Sequence, residues 1–380
     1  MKLLFIFGTR PEAIKLAPVV KIFANNKNYN VKVCLSGQHD TLLSQMIKFF
    51  NIKIDYNLNI IKPKQSLNHI TESILNKLNP ILQKYKPNLA FVHGDTSTAF
   101  SSALACNYQK IPVAHVEAGL RTHNKLYPWP EEINRSLITK LSDYHFAPTE
   151  LAKNNLIKEN ISKDRIIVTG NTVIDSLFLT LNKLELKNTK KKINVKFSFL
   201  KKNRKLILIT AHRRENFGIG IKNLCYSLQI LSKTYPDIDF VYPVHLNPNV
   251  MTLVYKELKS IKNIQLIKPV SYSEIVYLMS KSYLILTDSG GIQEEAPSLG
   301  KPVLVLREHT ERFEAIKQGI AKLIGTESKS IIQNVSQLID DKTLYNSMCK
   351  TIHIFGDGTA SKKIINFINT NLNNKISLSA

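Results

Sequence analysis

The chain has 380 residues, of which 43% are hydrophobic, and it carries a formal net charge of +23. This length and apolar content suit two domains, each large enough to bury its own core. No apolar run approaches the roughly 20 residues of a membrane helix, so we expect no membrane partner. The four cysteines are scattered and form no CxxC pair, which argues against a zinc knuckle or a redox dithiol and indicates small side chains that are buried or half-buried.

The excess of positive charge indicates either a nucleic-acid-binding surface or the lysine-rich surface of an ordinary globular protein. The positive charge is not confined to one stripe or tail, and the sequence contains no RGG run, RNP motif or zinc finger. We therefore favour the second interpretation and expect no specific nucleic-acid partner. A positive field would still help to capture an anionic nucleotide.

The first seven residues form a short apolar run, which ends at a charged segment that begins with Gly8. The run is too short for the apolar region of a signal peptide, and no small-residue cleavage site follows it. We interpret it as a buried first strand and expect a cytoplasmic protein.

Short apolar runs recur in two series, and each run is followed by a loop and a helix-like stretch. The first series predicts strands at Leu3–Phe7, Val31–Ser36, Leu89–His93, Val113–Glu117, Tyr144–Ala147 and Ile166–Thr169. The second series predicts strands at Leu206–Thr210, Phe240–Pro243, Ile264–Ile267, Tyr283–Thr287 and Val303–Leu306. Amphipathic stretches predict helices at Ala13–Ala24, Asn68–Tyr85, Thr96–Asn107 and Asn216–Lys233. The repeated strand–helix–strand pattern indicates an α/β fold with two parallel sheets covered by helices.

The break between the two series contains a polar, lysine-rich stretch, Lys187–Lys196, which we interpret as a connector. We predict an N-terminal Rossmann-like domain at residues 1–172 and a C-terminal Rossmann-like domain, with the nucleotide site, at residues 173–360. A last helix, at 361–373, is expected to cross back onto the first domain.

Ligands bind beyond the carboxyl ends of the strands in open parallel sheets, so the polar residues that follow each strand are the candidate site. After the first strand, Gly8 permits a tight turn and Pro11 suits the start of a helix. Arg10 and Lys15 then lie near a helix N-terminus, and cations beside free backbone N–H groups suit a diphosphate. The same residues would also fit an ordinary helix start with two solvated cations. The GK[ST] ending of a Walker loop is absent.

Three carboxylates follow later strands of the first series. Asp95 is placed to cap the next helix, and Glu131 could simply favour the dipole of a helix that starts near it. Glu117, at the end of a strand and before Ala-Gly, is harder to explain as structure alone. All three fall at the same edge of the predicted sheet, beside the expected cations, and this arrangement indicates proton transfer.

The second series places a histidine after each of its first two strands. His212 is a candidate acid or a donor to phosphate, and its alternative interpretation is a surface basic cluster. His245 is a weaker candidate of the same kind.

The most specific nucleotide signal follows the strand that ends at Thr287. Ser289, Gly290 and Gly291 let backbone N–H groups approach phosphate oxygens, and Glu295 is placed to accept the hydroxyls of a ribose. The pattern is not GxGxxG, so a dinucleotide is not indicated. Arg312, after the last strand, supplies a further cation.

Taken in order, these segments resemble the non-hydrolysing UDP-N-acetylglucosamine 2-epimerases of bacteria. The matching stretches are FGTRPEAIKLAP, VHGDTST, IPVAHVEAGLRT, PWPEEINR, TGNTVIDSL, HRRENFG, YPVHLNPNV, LTDSGGIQEEAPSLGKPVL and TERFEA. The resemblance implies the two-Rossmann architecture of type-B glycosyltransferases, an active site in the cleft between the domains and, usually, a homodimer.

The resemblance also implies a reaction without cofactor or metal. UDP is eliminated from UDP-N-acetylglucosamine, and 2-acetamidoglucal stays bound. UDP then adds back while a proton reaches the other face of sugar carbon 2, giving UDP-N-acetylmannosamine for cell-surface polysaccharide. By motif position the catalytic residues are Asp95, Glu117, Glu131 and His212, the last as a catalytic or diphosphate contact. The implied substrate contacts are Arg10, Lys15, Arg135, His245, Ser289, Gly290, Gly291, Glu295 and Arg312.

Members of this family bind a second UDP-N-acetylglucosamine as an activator, and the resemblance implies such a site near Gln38, His39 and Lys64. The sequence departs from the family pattern there at Asp40, Thr41 and Lys64. We therefore expect only weak activation. A further departure is Phe313, which stands where the family has proline.

Three other functions fit parts of the pattern. A hydrolysing relative would release UDP and free N-acetylmannosamine, but such enzymes typically replace the Pro-Glu-Ala that stands here at residues 11–13. A type-B glycosyltransferase would need an acceptor and should be inert with UDP-N-acetylglucosamine alone. A basic nucleic-acid-binding module would bind random RNA with an affinity that falls steeply with salt.

Overall fold

The protein is described by a computed structural model over residues 1–37, 41–62, 65–201, 203–310, 312–350 and 353–376, with the backbone alone at residues 41, 42 and 372–376. The chain divides into two compact units. One comprises Met1–Ser176 and Phe355–Ala380, and the other comprises Leu177–Ile354.

Strands and helices alternate along both units. Within the described ranges the strands are β1 Lys2–Phe7, β2 Asn30–Leu35, β3 Tyr56–Asn57, β4 Leu89–His93, β5 Val113–Val116, β6 Tyr144–Ala147, β7 Ile166–Val168, β8 Lys205–Thr210, β9 Ile238–Pro243, β10 Ile264–Ile267, β11 Leu284–Thr287, β12 Val303–Val305 and β13 Ala321–Leu323. The helices are α1 Arg10–Ala24, α2 Thr41–Phe50, α3 Leu67–Tyr85, α4 Ser97–Tyr108, α5 Glu131–Leu141, α6 Glu150–Lys158, α7 Thr172–Glu185, α8 Lys187–Lys196, α9 Ile219–Thr234, α10 Pro248–Leu258, α11 Tyr272–Lys281, α12 Gly290–Glu295, α13 Phe313–Lys317, α14 Ser328–Asp340, α15 Lys342–Met348 and α16 Ala360–Ile376.

The first unit is built on a seven-stranded sheet with the order β3-β2-β1-β4-β5-β6-β7. All of its pairings are parallel, so the carboxyl ends of its strands lie along one edge. The order reverses between β1 and β4, which is the point where such sheets bind ligands. Part of the core is an aromatic cluster, in which the ring of Phe5 stacks on Phe91 at 4.4 Å and Phe23 packs against both.

The second unit repeats the plan with a six-stranded parallel sheet in the order β10-β9-β8-β11-β12-β13. The reversal lies between β8 and β11. Its core is aliphatic, with Ile207, Leu228 and Leu286 fully buried, and the buried ring of Tyr242 donates its hydroxyl to the carbonyl oxygen of Ala211 at 2.7 Å.

The last helix, α16, packs on α1 within the first unit. The buried carboxylate of Asp175 accepts the backbone N–H groups of Ala360 (3.2 Å) and Ser361 (2.8 Å), which fixes the start of the helix. Farther along, the ring of Phe367 meets Tyr144 and Phe146 edge-on, with centroids 5.8 and 5.7 Å apart.

The predicted strands are present, with ends that differ by no more than two residues, but the sequence analysis did not predict β3 and β13. The interpretation of Lys187–Lys196 as a connector is wrong, because this segment is helix α8. The helix buries Ile193, and its C-cap Phe197 stacks on Tyr277 with ring centroids 5.5 Å apart. Nζ of Lys196 adds an ion pair with Oε1 of Glu274 at 2.6 Å, so apolar and ionic contacts together hold this polar helix.

Cys34, Cys106 and Cys225 are buried and Cys349 is half-buried, as expected. None of the helices within the described ranges combines the length and apolar character that crossing a bilayer requires.

Candidate active site

The loop between β1 and α1 is fixed by a capping box. Thr9 is the N-cap of α1, and Oε2 of Glu12 accepts the backbone N–H groups of Gly8 (3.0 Å) and Thr9 (2.7 Å). The other oxygen of Glu12 accepts the hydroxyl of Thr96 at 2.7 Å. Glu12 is only 1% exposed, so a buried carboxylate ties the loop after β1 to the loop after β4 at the point where the sheet order reverses.

Glu117 follows β5 and has a left-handed backbone conformation, with φ of 65°. Such a conformation is strained in a residue with a long side chain and is found at functional sites. Its Oε2 forms an ion pair with Nζ of Lys15 and accepts Nδ2–H of Asn171 at 2.8 Å. Nε2 of His93 lies 3.7 Å from the same oxygen.

The charge state of Glu117 is set by two opposing effects. Burial opposes ionisation of this carboxyl, but the Lys15 ammonium and the neighbouring His93 outweigh burial and hold the pKa of Glu117 well below its usual range. The side chains of Lys15 and Glu117 are 11% and 10% exposed. At neutral pH the site therefore holds a buried, paired carboxylate.

The loop before Asp95 is held by His115, a buried residue of β5. Burial, with a contribution from His145, lowers the pKa of His115 to about 3, so its ring is neutral. Its Nε2 lies 2.7 Å from the carbonyl oxygen of Gly94, which indicates that Nε2 carries the proton and donates it. A Cβ at Gly94 would lie 4.0 Å from Oε1 of Glu117, so this loop lies against the Glu117 carboxylate.

Asp95 is held by the first turns of α5. Nη2 of Arg135 donates to Oδ2 of Asp95 at 2.5 Å, and Nδ2 of Asn134 donates to the carbonyl oxygen of Asp95 at 2.9 Å. The prediction that Asp95 caps the next helix is wrong, because the N-cap of α4 is Thr96. Arg135 attracts the Asp95 side chain instead, and the Thr96 hydroxyl takes over the capping bond.

Two other candidate site residues of the first unit, Arg10 and Glu131, lie at the starts of helices. Arg10 is the first residue of α1, and Glu131 is the half-buried first residue of α5. Gln38, His39 and Lys64, named for an activator site, lie outside the described residues.

In the second unit, His212 follows β8 and His245 follows β9. Their rings stack with centroids 5.3 Å apart and an angle of 13° between the planes. His245 is exposed, and its Nδ1 accepts the backbone N–H of Asn247 at 3.1 Å. The backbone N–H of His212 donates to Oδ2 of Asp288 at 2.8 Å.

Ser289 is the N-cap of the short helix α12, and Arg312 lies directly on this turn. A Cβ at Gly290 would be 3.1 Å from Cζ of Arg312, so the guanidinium lies closely against this glycine. Arg312 also donates to Oε1 of Glu294 at 2.9 Å through Nη2. The structure therefore brings the predicted cation to the predicted Ser-Gly-Gly turn, an arrangement suited to a diphosphate.

Glu295 ends α12 and is 5% exposed. Its Oε1 accepts the hydroxyl of Tyr272 at 2.6 Å. A carboxylate held in this way keeps its orientation before a ribose arrives, which is what a hydroxyl-binding group needs.

Four residues that hold the site were missed in the sequence analysis. Glu12 could have been found, because Thr-x-x-Glu before a helix is a capping-box signature. Asn171, Tyr272 and Asp288 leave no such local signal, because each acts on a residue far along the chain. Within the described ranges, no cluster of three or more His, Cys, Asp or Glu side chains could hold a metal ion.

Comparison with known proteins identifies the family to which this sequence is similar. The family model of UDP-N-acetylglucosamine 2-epimerase matches residues 21–369. The UDP-N-acetylglucosamine 2-epimerase of Campylobacter jejuni is 53% identical over 380 residues, which cover 98% of this chain and 99% of that protein.

Two solved structures are similar over almost the whole chain. The UDP-N-acetylglucosamine 2-epimerase of Neisseria meningitidis, bound to UDP-N-acetylglucosamine, is 53% identical with a TM-score of 0.91, over 98% of this chain and 100% of that one. The enzyme of Methanocaldococcus jannaschii, in complex with UDP-N-acetylglucosamine and UDP, is 34% identical with a TM-score of 0.81, over 98% and 100%.

The chain belongs to the UDP-N-acetylglucosamine 2-epimerase family. The predicted family is confirmed, and so is the predicted fold class, an α/β chain with two Rossmann-like parallel sheets as in type-B glycosyltransferases. The placement of the active site in a cleft between the domains stays a prediction.

The buried Lys15–Glu117 pair leads to a prediction about pH. Lys15→Met should lower the free energy of unfolding at pH 7 by about 3–5 kcal/mol, because it leaves a buried carboxylate without its cation. In the wild-type protein the pKa of Glu117 is depressed, so its contribution is present above the unfolded value and is lost as pH falls through the folded value. Without Lys15, burial raises the pKa of Glu117, so the gap between variant and wild type should begin to shrink above about pH 4.5, as the variant's carboxylate takes up a proton.

Urea denaturation at several pH values, followed by circular dichroism, measures this gap. Lys153→Met is the matched control, since Lys153 pairs with Glu150 at 3.4 Å on the surface of the same unit. The control should change stability by less than about 1 kcal/mol. Equal stability of the two variants at pH 7 would show that the buried pair does not act as described.

Proposed function

We propose that the chain interconverts UDP-N-acetylglucosamine and UDP-N-acetylmannosamine without releasing the sugar. The observation that carries the proposal is the ionised, buried Glu117 beside Lys15, at the strand ends where this fold binds ligands. Family membership supports the substrate class. We also propose the cytoplasmic location expected from the sequence and the homodimer implied by the family resemblance.

The proposed reaction begins with removal of the proton on sugar carbon 2. As that C–H bond breaks, the bond between carbon 1 and the UDP oxygen breaks as well, leaving 2-acetamidoglucal and UDP. UDP then adds back to carbon 1 while carbon 2 receives a proton on its other face. Two faces need two proton-handling positions, and Asp95, Glu117 and Glu131 are proposed to supply them.

Lys15 is proposed to link substrate binding to proton transfer. A carboxylate whose pKa is far below neutral is a weak base. The diphosphate of the substrate attracts Lys15 and weakens its ion pair with Glu117. Since burial then dominates the environment of Glu117, its pKa rises at the moment when it must accept a proton.

The diphosphate and ribose are proposed to bind in the second unit. Backbone N–H groups at Ser289, Gly290 and Gly291, together with Arg312, hold phosphate oxygens, and Glu295 accepts ribose hydroxyls. His212 and His245 contact the diphosphate. Arg10 and Arg135 complete the proposed substrate contacts.

The non-hydrolysing reaction, rather than hydrolysis, is favoured by the first loop. Pro11, Glu12 and Ala13 are retained, and Glu12 fixes this loop through buried hydrogen bonds to backbone N–H groups. Proton and phosphorus NMR of products from pure UDP-N-acetylglucosamine tests the choice. We expect an equilibrium mixture of two nucleotide sugars. Free N-acetylmannosamine accumulating in step with UDP would assign the hydrolysing reaction. UDP-N-acetylglucosamine that stays unchanged would indicate a glycosyltransferase.

The three carboxylates are tested by Asp95→Asn, Glu117→Gln and Glu131→Gln, made one at a time. Each should lower kcat by about 10²-fold or more, because a proton-transfer group is lost. UDP binding, measured by calorimetry, should largely survive, since the proposed UDP contacts are elsewhere. Glu150→Gln is the control, because Glu150 is an exposed carboxylate of the same unit, and it should keep wild-type turnover. Near-normal rates in all three variants would refute the assignment.

A further inference from the structure

Asp288 is a fully buried carboxylate that follows β11, and it anchors the loop that carries His212. Its Oδ2 accepts three N–H donors from that loop. They are the backbone N–H groups of His212 and Arg213, both at 2.8 Å, and Nδ2–H of Asn216 at 3.0 Å. The chain segment after β8 is therefore folded around one oxygen atom.

The second oxygen of Asp288 faces the imidazole. Oδ1 lies 3.5 Å from Nδ1 of His212, and among the described residues it has no hydrogen-bond partner. Leaving a buried carboxylate oxygen without a donor is costly. The distance is longer than a hydrogen bond, but such contacts in ligand-free sites shorten when substrate binds.

We propose that Asp288 is a positioning residue that acts through His212. It accepts Nδ1–H, which fixes the ring orientation and stabilises the protonated ring, so that Nε2–H faces the diphosphate of the substrate and donates to it. The carboxylate–histidine contact of a Ser-His-Asp triad works by the same logic. The inference rests on the proposed function, because it assigns His212 to the UDP that departs and returns.

The three donors on Oδ2 make Asp288→Asn an informative variant. An amide has only one oxygen, and three N–H groups demand that this oxygen take the place of Oδ2. The NH₂ group must then take the place of Oδ1 and point its hydrogen at Nδ1 of His212. The loop stays anchored, but the ring can no longer donate through Nδ1, so a neutral ring must carry its proton on Nε2.

Nitrogen-15 NMR of the histidine rings tests the tautomer directly. The His212 signal is identified by its loss in His212→Asn, whose amide still offers a donor to Asp288. We expect a protonated Nδ1 in the wild-type protein and a proton on Nε2 alone in Asp288→Asn. The same His212 tautomer in both proteins would overturn the proposal.

Kinetics test whether the contact matters for the reaction. Asp288→Asn should lower kcat by about 10²-fold or more, because without the carboxylate the ring is not held in the protonated form that donates to the departing UDP. In the His212→Asn background the same change should cost less than about threefold, because the residue it acts through is gone. Equal losses in both backgrounds would mean a structural role only. Asp239→Asn should keep wild-type turnover, because Asp239 lies at the opposite end of the same sheet, where it pairs with Arg204 at 2.8 Å.

Epimerisation by the wild-type protein tests the proposed function, and turnover by Asp288→Asn tests the role of Asp288 separately. A wild-type protein that does not epimerise would end the proposed function, and the ring signal would still report the tautomer. A wild-type protein that epimerises, while Asp288→Asn turns over normally, would end this inference alone.

Discussion

The ion pair between Lys15 and Glu117 is the interaction on which the proposed chemistry depends. Burial alone would favour a neutral carboxyl, which could not accept a proton, and the lysine reverses that preference. The partners come from distant segments, since Lys15 lies on α1 and Glu117 follows β5, so the pair forms only when the sheet is assembled. Asn171, after β7, donates to the same oxygen and adds a third segment to the assembly.

In both units a buried carboxylate anchors a loop at the point where the strand order reverses. Each has a parallel sheet whose order reverses beside its first strand, and each places a buried carboxylate there that accepts backbone N–H groups. Glu12 holds Gly8 and Thr9 in the first unit, and Asp288 holds the His212 loop in the second. Such anchors keep a loop in a fixed shape without a ligand, which lowers the entropy cost of binding.

The sequence predicted the elements that carry a strong periodic signal and missed those that do not. Buried strands such as Leu89–His93 stand out as apolar runs, whereas Tyr56–Asn57 is a two-residue edge strand with no such run. Helix α8 was mistaken for a connector because a single buried residue, Ile193, gives no visible stripe. The placement of Glu117 beyond a strand was predictable from the fold class, but its partner Lys15 is 102 residues away, and no local pattern reveals that pairing.

The central claim is that the protein removes and replaces the proton on sugar carbon 2. Incubation with UDP-N-acetylglucosamine in deuterium oxide, followed by proton NMR and mass spectrometry of the nucleotide sugars, tests it most directly. We expect deuterium at carbon 2 of the UDP-N-acetylmannosamine formed and, as equilibrium is reached, of the UDP-N-acetylglucosamine that remains. Formation of UDP-N-acetylmannosamine with its original hydrogen at carbon 2 would contradict it.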